Sequence, residues 1–191
     1  MKSHLKPGIT TAELNHVGAS VNDEVVHGIP GDRFIRPGDL ITIDVTAELN
    51  GFIADAAESV VVPPAATLNL KLCECARTSF EKAIRSARAG RPINAIGKAV
   101  HKEVDYRGFS VIPALSGHGI GRVIHEEPSL NQPLTEVLVI TIEPIITSGS
   151  GHIYDDRDGW TIKIRDKTPA AHHEHTVVIT KGHPILLTAA S

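Results

Sequence analysis

The chain has 191 residues, 41% of them apolar and 21% charged, with a formal net charge of −3. That length suits one domain with one sizeable core, and the balance excludes a disordered chain. A net negative charge argues against a nucleic-acid partner, and no apolar run reaches the roughly 18–20 residues of a membrane span. The N-terminal MKSHLKPGIT lacks the apolar stretch of a signal peptide, so a cytoplasmic location is expected. Cys73 and Cys75 stand two apart in a helical pattern and read as free thiols in a reducing compartment. Eleven histidines are a high count, and histidine is the commonest metal ligand.

In chain order, Thr10-Thr-Ala-Glu13 has the form of a helix N-terminal capping box, though LNHVGAS after it is too short for much helix. Residues 40–49 and 52–62 read as strands joined at Asn50-Gly51, a strong hairpin signal, with Pro63-Pro64 ending the second. Apolar residues at three- and four-residue steps predict a helix over 68–88, closed by Gly90 as C-cap. A second helix over 93–106 would put Ile93, Ile96, Val100 and Val104 on one face. Strands follow at 137–143, 160–165 and 174–180, and the whole order reads as α+β.

The hairpin carries the chemical signal. A two-residue loop pairs 49 with 52, so 46 faces 55 and 44 faces 57. Residues two apart share a strand face, which makes Asp44 and Asp55 diagonal neighbours, Cβ atoms within roughly 7–8 Å. Two carboxylates held close in a half-buried sheet repel each other and are costly to desolvate, and a divalent cation between them removes both penalties. Plain surface acids are the competing explanation.

Three more residues repeat the anomaly. Glu143 ends the apolar run VLVITIE before Pro144, His118 sits in SGHGIG, and Glu174 sits in HHEHTVVIT. Singly, the plainer reading is favoured for each: Glu143 as a strand-end acid, His118 as a loop histidine and Glu174 as a surface acid in a histidine-rich turn. Together they give four carboxylates and one imidazole, which suit Mn, Fe(II), Co or Zn in a two-metal site and not a closed structural zinc site. His173 and His175 flank Glu174 on the opposite strand face and read as structural.

The motifs HGIP (27–30), IDV (43–45), GF-x-x-D (51–55), GHGIG (117–121), HEEP (125–128), TIEP (141–144), DGWT (158–161) and EHT (174–176) stand in one order. Together they resemble the methionine aminopeptidases, of the bacterial type I. The resemblance runs from Leu5 onward and implies a pita-bread fold, a central antiparallel sheet covered by helices with internal pseudo-two-fold symmetry. It implies one catalytic domain over 1–191. It further implies two divalent metal ions, with Asp55 and Glu174 bridging, His118 and Glu143 completing one site, and Asp44 chelating the other. His27 matches a histidine at the scissile amide, His125 one that stabilises the tetrahedral carbonyl, Trp160 a wall of the methionine pocket, and Glu143 a proton shuttle. The implied activity is removal of N-terminal methionine from nascent peptides by a monomer, with ribosome association as a family expectation.

The chain also departs from that pattern. The N-terminal helix is short, and the aromatic- and cysteine-containing strand after it has no clear counterpart, so a missing first strand and an exposed sheet edge are expected. Val26 stands where a cysteine commonly precedes HGIP, and Ile124 where an aromatic commonly precedes HEEP. SLNQPLTEVLVI is shorter than usual. These departures keep two alternatives open: a non-catalytic pita-bread binding module, and a dimetal aminopeptidase with another first-residue preference.

Overall fold

Asn50 and Gly51 both adopt positive φ, 54° and 78°, and this turn sets the register of everything around it. It joins strand β3 (Leu40–Leu49) to β4 (Phe52–Val61), with Leu49 opposite Phe52, Thr46 opposite Asp55 and Asp44 opposite Ala57. The register is the expected one throughout. The computed structural model describes residues 13–127 and 132–189.

On the far side of β3 lies β1 (Glu13–Val21), paired antiparallel with a bulge between Leu14 and His16. The sheet edge expected to be bare is therefore covered. Residues 10–12 of the capping box lie outside the described residues, while Glu13 begins this strand and no helix follows it. The local helix-start signal loses to a partner strand that satisfies the backbone of residues 13–21. A short β2 (Glu24–Val26) comes next in the chain.

Two helices follow the hairpin, α1 (Thr67–Ile84) and α2 (Asn94–Tyr106). The first buries Leu72, Cys75, Ala76, Phe80 and Ala83 at helical spacing. It stops before the expected end, and Gly90 is not its C-cap. The chain is drawn off the helix axis because Ala89 N–H donates to Thr180 O (2.9 Å) and Gly90 N–H to Leu134 O (2.8 Å).

The second half is all strand: β5 (Ser110–Val111), β6 (Val139–Ile142), β7 (Ile145–Thr147), β8 (Ile153–Asp155), β9 (Ile162–Ile164), β10 (Ala170–Val178) and β11 (Ile185–Leu186). β10 begins four residues before its expected start and is the hub, pairing antiparallel with β4, β6, β7 and β11. The main sheet runs β1-β3-β4-β10-β7-β5, and a smaller sheet runs β2-β9-β8.

Both faces of β10 are occupied. Phe80 of α1 packs edge-on against the rings of His173 and His175, with centroids 5.2 and 5.1 Å away, so the helices cover that face. Alternation then sends His172, Glu174 and Thr176 to the opposite face. The larger core fills the helix side with Leu72, Phe80, Val104, Ile142, Val177 and Ile179, all buried. A second core of Val25, Val26, Ile112, Ile145, Ile164 and Ala170 lies under the small sheet.

Candidate metal centre

Three adjacent strands build the floor of the site. Ala57 of β4 is paired with Asp44 of β3 on one side and with Glu174 of β10 on the other. Two carboxylates thus stand in one row with a methyl group between them, and Asp55, two residues along β4, shares their face. Alanine is the smallest side chain with a Cβ, and it leaves room above the row.

The floor is held rigidly. Thr176 Oγ1 accepts from Asp55 N–H and donates to Asp55 O, both at 2.8 Å, which fixes that backbone. Thr46 Oγ1 donates to Asp55 Oδ1 at 3.2 Å, and Ala56 N–H to the same oxygen at 3.0 Å.

His118 arrives from the loop between β5 and β6. Gly117 and Gly119 press that loop onto its neighbours; a Cβ on Gly119 would lie 2.0 Å from Glu127 O, and one on Gly117 2.4 Å from Thr141 O. The glycines therefore serve backbone packing beside the histidine. His118 Nδ1 lies 2.9 Å from Gly119 O, and a carbonyl can only accept, so Nδ1 carries the proton and Nε2 is left free as a donor atom.

Thr141 links His118 to Glu143: His118 N–H donates to Thr141 Oγ1 (3.0 Å), which donates to Glu143 Oε1 (2.8 Å). Glu143 lies just past the end of β6, and its Oε1 is 3.5 Å from His118 Nε2.

These groups converge. Ligand atoms of Asp55, His118 and Glu174 lie within 4.8 Å of one another, and so do those of Asp44, His172 and Glu174. The electrostatics are those of crowded acids. Burial, then the neighbouring Glu174, pushes Glu143 well above the usual carboxylate range. Burial, then Asp55 and Asp44, does the same to Glu174. Asp44 is pushed up to about 6 by burial and by Asp55. His118 is lowered, mainly by burial. Asp44 Oδ1 and Glu174 Oε1 are buried without a hydrogen-bond partner. Four converging carboxylates, one imidazole with a free Nε2 and orphaned buried oxygens fit hard-to-borderline divalent cations.

Above this floor sit the remaining expected residues. His27 is in the left-handed region (φ 61°) and stacks on Trp160 with centroids 5.1 Å apart. Thr161 Oγ1 donates to His27 O (3.3 Å), and Asp158 receives Trp160 N–H and Thr161 N–H, both at 2.9 Å. Burial, then His16 and His125, lowers the His27 pKa, so its imidazole is neutral near pH 7. The ring of His125 is 4.3 Å from that of His118. Val26 is a buried core residue, whereas Ile124 lies at the surface and Trp160 is 51% exposed, which leaves the wall around the indole open.

Sequence reasoning missed three residues here. His172 precedes Glu174 by two, on the stretch of β10 before the expected strand start at 174, so strand alternation did not reach it. His16 lies 6.3 Å from Trp160, centroid to centroid, on a strand that was not expected. Thr141 was inside a quoted motif, but a threonine in a strand gives no sign of which groups it bridges.

The model for metallopeptidase family M24 matches residues 2–181. The chain belongs to metallopeptidase family M24. It is 39% identical over 222 aligned positions to methionine aminopeptidase 2 of Bacillus subtilis, covering 98% of this chain and 89% of that protein. Those positions exceed the 191 residues here, so the alignment opens gaps on this side. The structure superposes on methionine aminopeptidase of Rickettsia prowazekii with a TM-score of 0.87 at 33% identity, covering 91% of this chain and 73% of that one. The enzyme of Thermotoga maritima gives 0.87 at 32%, covering 91% and 74%. The fold is thus the pita-bread fold of this family, and the family membership implies divalent metal. Among the described residues no helix is long and apolar enough to cross a membrane.

Proposed function

We propose that this M24 protein is a dinuclear metallo-aminopeptidase that hydrolyses the first peptide bond and removes N-terminal methionine from nascent chains. The observation that carries the reading is the buried convergence of Asp44, Asp55, His118, Glu143 and Glu174, with orphaned carboxylate oxygens aimed at one space. Asp55 and Glu174 would bridge two cations, His118 and Glu143 would hold one of them, and Asp44 the other. Co, Mn, Fe and Zn all suit this oxygen-and-nitrogen set. The cations, once bound, supply the Lewis acidity that activates water near neutral pH and polarises the carbonyl.

The chain's own residues divide the remaining work. Glu143 takes the proton of the attacking water and returns it to the leaving amine, held in aim by Thr141. His125 donates toward the carbonyl oxygen as it gains charge. His27, neutral and fixed through Thr161, meets the scissile amide, and Trp160 forms a wall for the first side chain. The whole chain acts as one catalytic domain, a cytoplasmic monomer whose substrates are peptide N-termini as they leave the ribosome.

The open wall around Trp160 favours a second reading at the level of specificity: a wider first-residue preference, reaching small side chains. One experiment addresses both. Metal-stripped protein is given Co²⁺, Mn²⁺ or Fe²⁺ and a panel of tripeptides headed by Met-Ala-Ser, beside an Asp55→Ala variant. Metal-dependent methionine release, lost in the variant, is the expected result. Equal release of other first residues would select the wider preference. No release from folded, metal-loaded protein would leave a non-catalytic binding module.

A further inference from the structure

The face of β10 that carries Glu174 also carries a histidine to which the family reading gives no task. His172 is 1% exposed, and neither ring nitrogen has a hydrogen-bond partner. A buried imidazole with two unmet nitrogens is costly, because each nitrogen gives up its hydrogen bond to water and gains none in return. Such a group calls for an explanation, and its surroundings supply one.

Its backbone is clamped from β4. Ser59 Oγ accepts from His172 N–H at 2.7 Å and lies 2.8 Å from His172 O. Ser59 Oγ is also 2.7 Å from Thr42 Oγ1 on β3. A hydroxyl row, Thr42–Ser59–His172, therefore runs beside the carboxylate row Asp44–Ala57–Glu174, each two residues from its counterpart along the strand. The imidazole is steered into the carboxylates: Nε2 lies 3.3 Å from Glu174 Oε2 and 3.7 Å from Glu143 Oε2 without a hydrogen bond to either. Its ligand atom also lies within 4.8 Å of those of Asp44 and Glu174.

We propose that His172 is a sixth metal ligand, supplying an imidazole nitrogen to the cation held by Asp44 and Glu174. The inference rests on the dimetal reading above. It makes the two positions alike in composition: Asp55 and Glu174 are shared, and one imidazole and one carboxylate are added at each, His118 and Glu143 at one and His172 and Asp44 at the other. A second imidazole shifts the centre toward Co²⁺, Ni²⁺ and Zn²⁺ and away from Mn²⁺, since nitrogen donors favour the later first-row ions. The competing role is a protonated His172 acting as counter-ion to Glu174 and Glu143. A counter-ion would compete with metal where a ligand recruits it, so the two roles predict opposite effects of removal.

The test is Co²⁺ titration of the metal-free full chain by calorimetry, for wild type and His172→Gln, with the melting temperature of each metal-free protein as the fold control. Weakening of one of two cobalt equivalents by at least about tenfold is expected, since even residues that only support metal ligands are worth 10–100-fold. In wild-type protein loaded with Co²⁺, proton NMR should show hyperfine-shifted signals from two coordinated imidazoles, and from one in the variant. The wild-type count decides the matter even if the variant does not fold. Two bound cobalt ions with a single imidazole signal, or unchanged or tighter binding in the variant, would overturn the proposal and leave the dimetal reading standing. A wild type that binds no cobalt would remove both.

Discussion

At the level of single residues, the site is expensive without its ions. Asp44 lies diagonal to Asp55 and one strand pair away from Glu174, with Ala57 between, and its pKa of about 6 means that ionising it at neutral pH costs the metal-free fold stability. The folded value is raised above the usual 3.8, so the folded state holds the proton more tightly between those two values. Stability from this group is then fully present below pH 3.8, is lost as pH rises from there through about 6, and does not change further above that. Asp44→Asn removes that penalty. In metal-free protein at pH 7.5 the variant should unfold at higher urea than wild type, by roughly 1–3 kcal/mol at about 1.4 kcal/mol per pH unit. The advantage should vanish near pH 4, and the variant should lose the part of the Co²⁺ stabilisation that comes from the cation held by Asp44. Urea titrations at the two pH values decide it; a metal-free variant less stable than wild type at pH 7.5 would show that Asp44 is not repelled.

At the level of elements, the amount legible in the sequence depended on how far local signals governed each one. The β3–β4 hairpin was readable to the residue because Asn50-Gly51 dictates its own turn, and the turn dictates the pairs. That register put Asp44 and Asp55 on one face before any resemblance was invoked. β1 was not readable, because His16, Gly18 and Ala19 carry no strand pattern; their order comes from pairing with β3. The start of β10 was hidden for the same reason. Ala170–His173 looks like a turn, yet it lies between strands on both sides, and His172 was lost with it. The helices were found, but one inward-facing residue was not. Glu103 of α2 is only 3% exposed and receives both Lys82 of α1 and Arg107 Nε, the latter at 2.7 Å. Burial pushes its pKa up, but the bonds from Lys82 and Arg107 outweigh burial, and the net value is lowered. A depressed carboxylate stabilises above its unfolded pKa and stops doing so as pH falls through the folded one. Glu103→Gln should therefore cost roughly 1–3 kcal/mol at pH 7, less than a fully buried pair because both cations reach solvent. The cost should shrink as pH drops below the usual 4.5, and comparing denaturation of the two proteins at pH 7 and pH 3.5 measures it.

At the level of the whole molecule, the centre ties together parts of the chain that are far apart in sequence. Asp44 and Asp55 come from the first hairpin, His118 from a loop after the helices, and Glu143, His172 and Glu174 from the second half. A cation bound among them cross-links β3, β4, β10 and the His118 loop, and it does so only in the folded state. Anything that binds only that state stabilises by RT ln(1 + [L]/Kd), about 2.7 kcal/mol at a hundredfold excess over Kd. For a chain of this size about 1 kcal/mol moves the midpoint by roughly 2–4 °C, so saturating Co²⁺ should raise the melting temperature by about 5–10 °C. The gain should also depend on pH, because cobalt competes with protons for Asp44, Glu143 and Glu174, all of which hold protons more tightly than usual. It should be small at pH 5 and full at pH 7.5. Asp55→Ala should abolish it at both, since the proposed site uses Asp55 for both cations. A melting temperature indifferent to Co²⁺, Mn²⁺ and Fe²⁺ at pH 7.5 would mean that the carboxylates are held apart by the protein alone, and the cross-link through the centre would have to be given up.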